Sequence, residues 1–301
     1  MFLKRVCMFL AAAFLVVNIV LFAFCIRTRD SLTTLPDGMI ANAVAYFASC
    51  GVTVEPTVIP EHIPDNAVYT FEKDNAALAS EITEKLAAAY FPDSSVSFIE
   101  TPDGITYAIN QAGSPAAGLR VFNDAFTFEY SLNAFDRDSL PFGFDEPFTN
   151  ENTRFTDSQR RAAEKLLNCL TAAKNGREYT VRGILPLTDG VYVCLSQNIY
   201  DGYEVGGMFV NLFLKEDGVV YAYGNRVFAG FVKSYSQELT DGVNALHMLD
   251  LSGVRTVRSE RIAYIHRFTG SGTHYLIPVW EITYVDTNGD TKTQHIDAIK
   301  K

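Results

Sequence analysis

The sequence predicts an α+β protein: an N-terminal transmembrane helix followed by two ectodomain modules, each of helices packed on an antiparallel sheet. Three observations lead there. A long apolar run opens the chain, apolar residues then recur at helical spacing in each half, and short alternating stretches broken by Pro, Asp and Gly follow each helix. With 301 residues, 48% hydrophobic and 20% charged, the chain can bury a substantial core and is long enough for about two domains.

The apolar run Val6 to Ile26, VCMFLAAAFLVVNIVLFAFCI, has Asn18 as its only strongly polar member. At about 1.5 Å per residue such a helix spans the roughly 30 Å hydrocarbon layer. A cleaved signal peptide is the competing reading, but its apolar stretch is usually about 7–15 residues and ends at a small-residue cleavage site. This run is longer and ends in Phe24, Cys25, Ile26, Arg27. Phe24 also argues against a lipoprotein signal at Cys25, where a small side chain is needed. Lys4 and Arg5 favour a cytoplasmic amino terminus, with residues 30–301 outside a cell membrane crossed once. Asn18 gains about 1 kcal/mol by hydrogen bonding to another helix, and Ala11 and Ala12 allow close approach. These three are the candidate contacts of the membrane helix.

Residues before Asp30 include four basic and no acidic side chains, so the formal charge of −10 for the whole chain becomes −14 for the remainder. Such a surface repels nucleic acid. Outside the apolar run the cysteines are Cys50, Cys169 and Cys194, an odd number that suggests no disulfide framework. They read as small buried hydrophobes.

The expected domains are 1–29, stub and anchor; 30–150, first module; and 151–301, second module. In the first module Met39, Ile40, Ala43, Val44 and Phe47 fall on one helical face. A proline-rich extended segment follows, then a helix over Asp74 to Tyr90 with Leu78, Ile82, Leu86 and Ala89 as its stripe. Four short strands, beginning with SVSFIE, read as a meander. The polar, proline-containing stretch Asp136 to Arg154 reads as the boundary. Beyond it, Thr156 and Gln159 make a capping box for a helix that buries Ala162, Ala163, Leu166, Leu167 and Leu170. Five strand-like segments, a helix over about Gln237 to Leu251 and a final hairpin complete the second module.

That hairpin, HYLIPVWEITYVDTNGDTKTQHIDAI, holds the only Trp. Asn288-Gly289 suits a two-residue type I′ turn, which would set Glu281 opposite Ile296 and Trp280 opposite Asp297. The spacing of Asp286, Asn288, Asp290 and Asp297 partly matches a calcium loop. However, the glycine needed at its sixth position is Thr291, so the hairpin is the better reading. The five histidines show no H-x-x-x-H or H-x-H spacing, and there is no G-x-S-x-G, P-loop or G-x-G-x-x-G. The chain therefore reads as a non-enzyme without cofactor or metal. Trp280, Glu281 and Tyr284 are its candidate ectodomain contacts.

Three stretches together resemble the YycI family of Gram-positive bacteria: the short basic start with one apolar span; ANAVAYFASCGVTVEPTVIPEHIP, Ala41 to Pro64; and YLIPVWEITY near the end. The last is also similar to PepSY-type modules. The YycI resemblance implies an accessory regulator without catalysis, associated with a sensor histidine kinase that controls cell-wall metabolism and with a YycH-like membrane protein. Two other classes stay open. A PepSY-like extracytoplasmic module that binds or inhibits a protease or envelope protein would show a groove or exposed sheet edge at the C-terminal hairpin. An envelope hydrolase would show a deep pocket with convergent polar groups.

Overall fold

The computed structural model describes residues 14–15, 17–19, 21, 34–36, 38–63, 67–124, 126–133, 135, 140, 143–150, 154–171, 179–199, 202–216, 218–268 and 273–300. In chain order the elements are α1 (Met39–Ser49), β1 (Thr53–Val54), β2 (Ala67–Phe71), α2 (Asn75–Tyr90), β3 (Ser95–Thr101), β4 (Gly104–Gln111), β5 (Ser114–Phe122) and β6 (Thr127–Leu132). Then come α3 (Asp157–Cys169), β7 (Tyr179–Leu187), β8 (Gly190–Asn198), β9 (Glu204–Lys215), β10 (Gly218–Asn225), β11 (Val232–Ser236), α4 (Gly242–His247), β12 (Val254–Phe268), β13 (His274–Asp286) and β14 (Thr291–Asp297).

This arrangement corrects the expected fold class. The strands do not form one antiparallel sheet per module; fourteen of them join in a single hydrogen-bonded mixed sheet, in which β12 runs parallel to both β1 and β9. Nor is the N-terminal span established, because among the described residues no helix is long and apolar enough to cross a membrane. Of Val6 to Ile26 only six residues are described, and these are helical.

Compactness divides the chain into one unit of Ala67–Tyr235 and Ala263–Pro278, and another of Met1–Asn66, Ser236–Ile262 and Val279–Lys301. The expected boundary near residue 150 falls inside the first of these. Its centre is an eight-stranded antiparallel run in the order β7-β8-β9-β10-β6-β5-β4-β3. The pairing of β6 with β10 joins the two halves of the sequence, with Tyr130 opposite Ala222. Both helices lie over one core: Leu78, Ile82 and Leu86 of α2 and Ala163, Leu166 and Leu167 of α3 are buried with Leu119, Phe128, Val193 and Leu212. Neither helix has a sheet of its own because each stripe needs an apolar face to cover, and the joined sheet offers one to both. Asp74 caps α2 by accepting from the Ala77 N–H at 2.8 Å, and the Thr156–Gln159 capping box opens α3.

The opposite face carries Tyr192, Phe213 and Tyr221, covered by Phe144 and Phe148 from the stretch read as a linker. Two polar anchors hold that stretch. Buried Asn211 donates through Nδ2 to the carbonyls of Phe144 at 2.6 Å and Glu146 at 2.8 Å. Asn150 donates to the Ile184 carbonyl and accepts from the Ile184 N–H, both at 3.0 Å. At Gly183 a Cβ would stand 2.7 Å from the Phe148 ring, which leaves glycine as the residue that fits. A second buried amide, Asn75, donates to the carbonyls of Phe126 (3.1 Å) and Arg226 (2.6 Å) and accepts from the Phe228 N–H (2.8 Å).

In the other unit, α1 packs by α4, with the rings of Phe47 and His247 5.1 Å apart, and β13 pairs with β14. The expected helix over Gln237 to Leu251 is shorter, Gly242–His247. Leu239 bridges to Ile299 instead, and Asp241 ends the loop as an N-cap accepting from Asn244. Strand β2 escapes the sequence reading altogether because four of its five residues are buried, on both faces, and show no alternation. Beneath α4, Glu260 is 6% exposed, both carboxyl oxygens lack a hydrogen bond, and Gly242 faces it. Burial, reinforced by the nearby Asp241 charge, pushes its acid up to about 9.

Two outcomes follow. Asn75→Ala, which removes three buried hydrogen bonds to the backbone of Phe126, Arg226 and Phe228, is expected to cost roughly 2–4 kcal/mol in urea unfolding. Glu260 binds its proton more tightly folded than unfolded, so its contribution is fully present below the ordinary carboxyl range and is lost as pH rises toward about 9. Wild type therefore loses stability over that window in thermal melts, whereas Glu260→Gln loses less.

Candidate functional site

The residues expected to act at the C-terminal hairpin do not form one surface. Trp280 is 1% exposed, with its Nε1–H donated to the Thr240 carbonyl at 2.8 Å. It is a core side chain, so the contact expected of it is corrected. Alternation sets half-buried Tyr284 on the same face as Trp280 and Glu281 on the other. Glu281 Oε1 accepts from Arg261 Nε at 2.8 Å and Nη2 at 2.6 Å, while its Oε2 lies 3.3 Å from His295 Nε2. Despite its partial burial, those partners hold the Glu281 carboxyl below its usual range. This is a satisfied ion-pair cluster with no nucleophile beside it.

The turn explains why Glu281 meets His295. Only Gly289 of the loop has positive φ, +91°, so the turn is not type I′. Asp286 accepts from the N–H groups of Asn288 and Asp290, both at 2.9 Å, and pairs with Lys292 at 2.6 Å. The three-residue loop this builds shifts the register by one, placing Trp280 opposite Ile296 and Glu281 opposite His295. Of the expected membrane-helix contacts, Ala11 and Ala12 lie outside the described residues, and Asn18 Nδ2 donates to the Phe14 carbonyl of its own helix at 2.8 Å.

Elsewhere, chemistry-bearing groups are tied up. Cys169 and Cys194 are buried, whereas Cys50 is exposed rather than buried as expected. Burial pushes the Cys194 thiol up to about 11, which disfavours a nucleophilic thiolate. Among the described residues no three His, Cys, Asp or Glu side chains converge as a metal site. An open cleft of about 640 Å³ is lined by Thr156, Gln159, Asp189 and Lys215 among others, but the Thr156 and Gln159 side chains are engaged in the capping box.

One histidine pair had no signature in local spacing. The β12–β13 hairpin brings His266 Nε2 within 2.9 Å of His274 Nδ1, stacked on Phe71 and edged by Phe126. Burial holds both imidazoles below their usual range, each charge would also repel the other's in His266, and Asp74 partly offsets the effect on His274.

The feature with most capacity for contact is a strand edge. β3 pairs with β4, and among the described residues no strand pairs along its other side. An open edge is a template for another chain, and proteins blunt such edges with lysine, proline, bulges or cover. Other outer strands have these devices: β14 carries Lys292 and β11 Lys233, while β7 is bulged and covered by Asn150, whose N–H donates to the Arg182 carbonyl at 3.2 Å. β3 is SVSFIET, seven residues in unbroken register with β4 and without a cation. Its Phe98 and Ile99 are 62% and 68% exposed on opposite faces.

No family model and no curated protein matches the sequence. Solved structures similar to this chain include an uncharacterized protein from Eubacterium rectale, at 12% identity and TM-score 0.48, over 81% of this chain and 86% of that one. Another is the Bacillus megaterium YpeB C-terminal domain, at 11% identity and TM-score 0.36, over 73% of this chain and 92% of that one.

The histidine pair yields an expected pH response. Folded imidazoles held below their ordinary pKa stabilise the protein above about pH 6.5 and withdraw that stability as pH falls. Between about pH 7 and pH 5 the midpoint of thermal unfolding should drop by about 2–4 °C more in wild type than in the His266→Phe, His274→Phe double variant.

Proposed function

We propose that this chain is a non-catalytic binding protein that holds a partner by adding an extended segment of it to β3. The observation that carries the reading is the uncovered, cation-free edge with Phe98 and Ile99 exposed on its two faces. Main-chain hydrogen bonds along such an edge supply affinity, and side chains beside it supply selectivity. Burying one Phe or Ile is worth roughly 1.5–3 kcal/mol, so these two account for a useful share of a micromolar contact, about 8 kcal/mol.

The finer reading is an accessory regulator of a sensor histidine kinase controlling cell-wall metabolism, with a YycH-like membrane protein as second partner. It draws on the sequence resemblance alone, and a cell-surface location belongs to the same proposal. An extracytoplasmic module that holds a protease or envelope protein uses the same edge. The C-terminal hairpin, where such an edge was expected, offers β14, which is polar and carries Lys292.

The test is crosslinking with affinity capture from native membranes, comparing wild type with Phe98→Lys and Ile99→Lys. Both positions are exposed, so each variant should keep its fold within about 0.5 kcal/mol. Each should recover at least about tenfold less partner. Undiminished recovery would overturn the edge as the site, and the identity of the captured protein separates kinase from protease or envelope protein.

A further inference from the structure

We infer that the segment added at β3 is basic: an extended stretch of another protein carrying Lys or Arg. The inference rests on the binding mode proposed above and adds the partner's chemistry. From Leu86 to Leu119 the chain holds three acids, Asp93, Glu100 and Asp103, and no Lys, Arg or His. Arg120 neutralises Asp103, 3.3 Å away. Among the described residues Glu100 has no such partner. It sits beside Ile99 on the open strand, opposite Ile105 of β4; burial, with the Glu100 charge second, raises the neighbouring Tyr107 hydroxyl.

An incoming strand thus meets apolar side chains on both faces and, on the face of Phe98, a carboxylate with no cation paired to it among the described residues. A cation placed opposite Glu100 is favoured as a cross-strand pair, and a like charge there is disfavoured. A second copy of this chain is a poor match for the same reason. Two such edges each bring a carboxylate and no cation, in chains of formal charge −10.

The test uses the full chain and two labelled, blocked seven-residue peptides of alternating valine and polar residues, one carrying two lysines and the other two glutamates. In fluorescence anisotropy at low salt the lysine peptide should bind about tenfold more tightly. The advantage should shrink in about 1 M salt, and Glu100→Lys should reverse the preference. Equal binding of both peptides, lost in Ile99→Lys, would overturn the basic partner while leaving strand addition intact. Failure of both peptides to bind, with amide exchange in β3 unchanged, would remove both. A dimer in sedimentation that Ile99→Lys dissolves would make a second copy the occupant and overturn the inference.

Discussion

The antiparallel pairing of β6 with β10 is the constraint on which the first unit depends. It turns two stretches of chain, each with its own helix and strands, into one sheet with one apolar face. Once Tyr130 and Ala222 are neighbours, α2 and α3 share a core containing Phe128, Val193 and Leu212. Parting the halves would expose the facing edges of β6 and β10 and separate α2, which lies over β3–β5, from α3, which lies over β9 and β10 and packs against it. Burial of those side chains, at roughly 25 cal/mol per Å², makes the eight-stranded run one cooperative element.

Side-chain amides do a different job. Asn75, Asn150 and Asn211 each saturate backbone groups that no ladder reaches, and each fastens an irregular segment to the core. An unpaired backbone group in these places would cost about as much as several apolar contacts contribute. Glu260 stands in contrast: a carboxyl buried without hydrogen bonds retains its proton, because the charged form has no compensation.

The contrast between sheet edges connects stability with function. At β7 the fold covers its own edge with Asn150, and β11 and β14 carry lysine. β3 has none of these, although exposed Phe98 and Ile99 make the liability greatest there. An unprotected edge costs solubility, so its presence calls for an occupant. The charge around Glu100 defines what that occupant carries.

Local signals in the sequence determined much that is local. The Thr156–Gln159 box, the Leu78, Ile82 and Leu86 stripe and the alternation of β13 depend on residues a few positions apart, where spacing alone sets which groups meet. Tertiary structure decided what spacing cannot carry. The joining of the two halves, the capture of the apparent linker by Asn211, and the meeting of His266 with His274 depend on which strands become neighbours. The turn at Asp286 shows how narrow the margin is: a side chain accepting two N–H groups added one residue to the loop and exchanged every cross-strand partner of the final hairpin. Trp280, conspicuous as the chain's single tryptophan, became core because its face turned inward, while SVSFIET, unremarkable as a sequence, became the candidate site because no described strand lies beyond it.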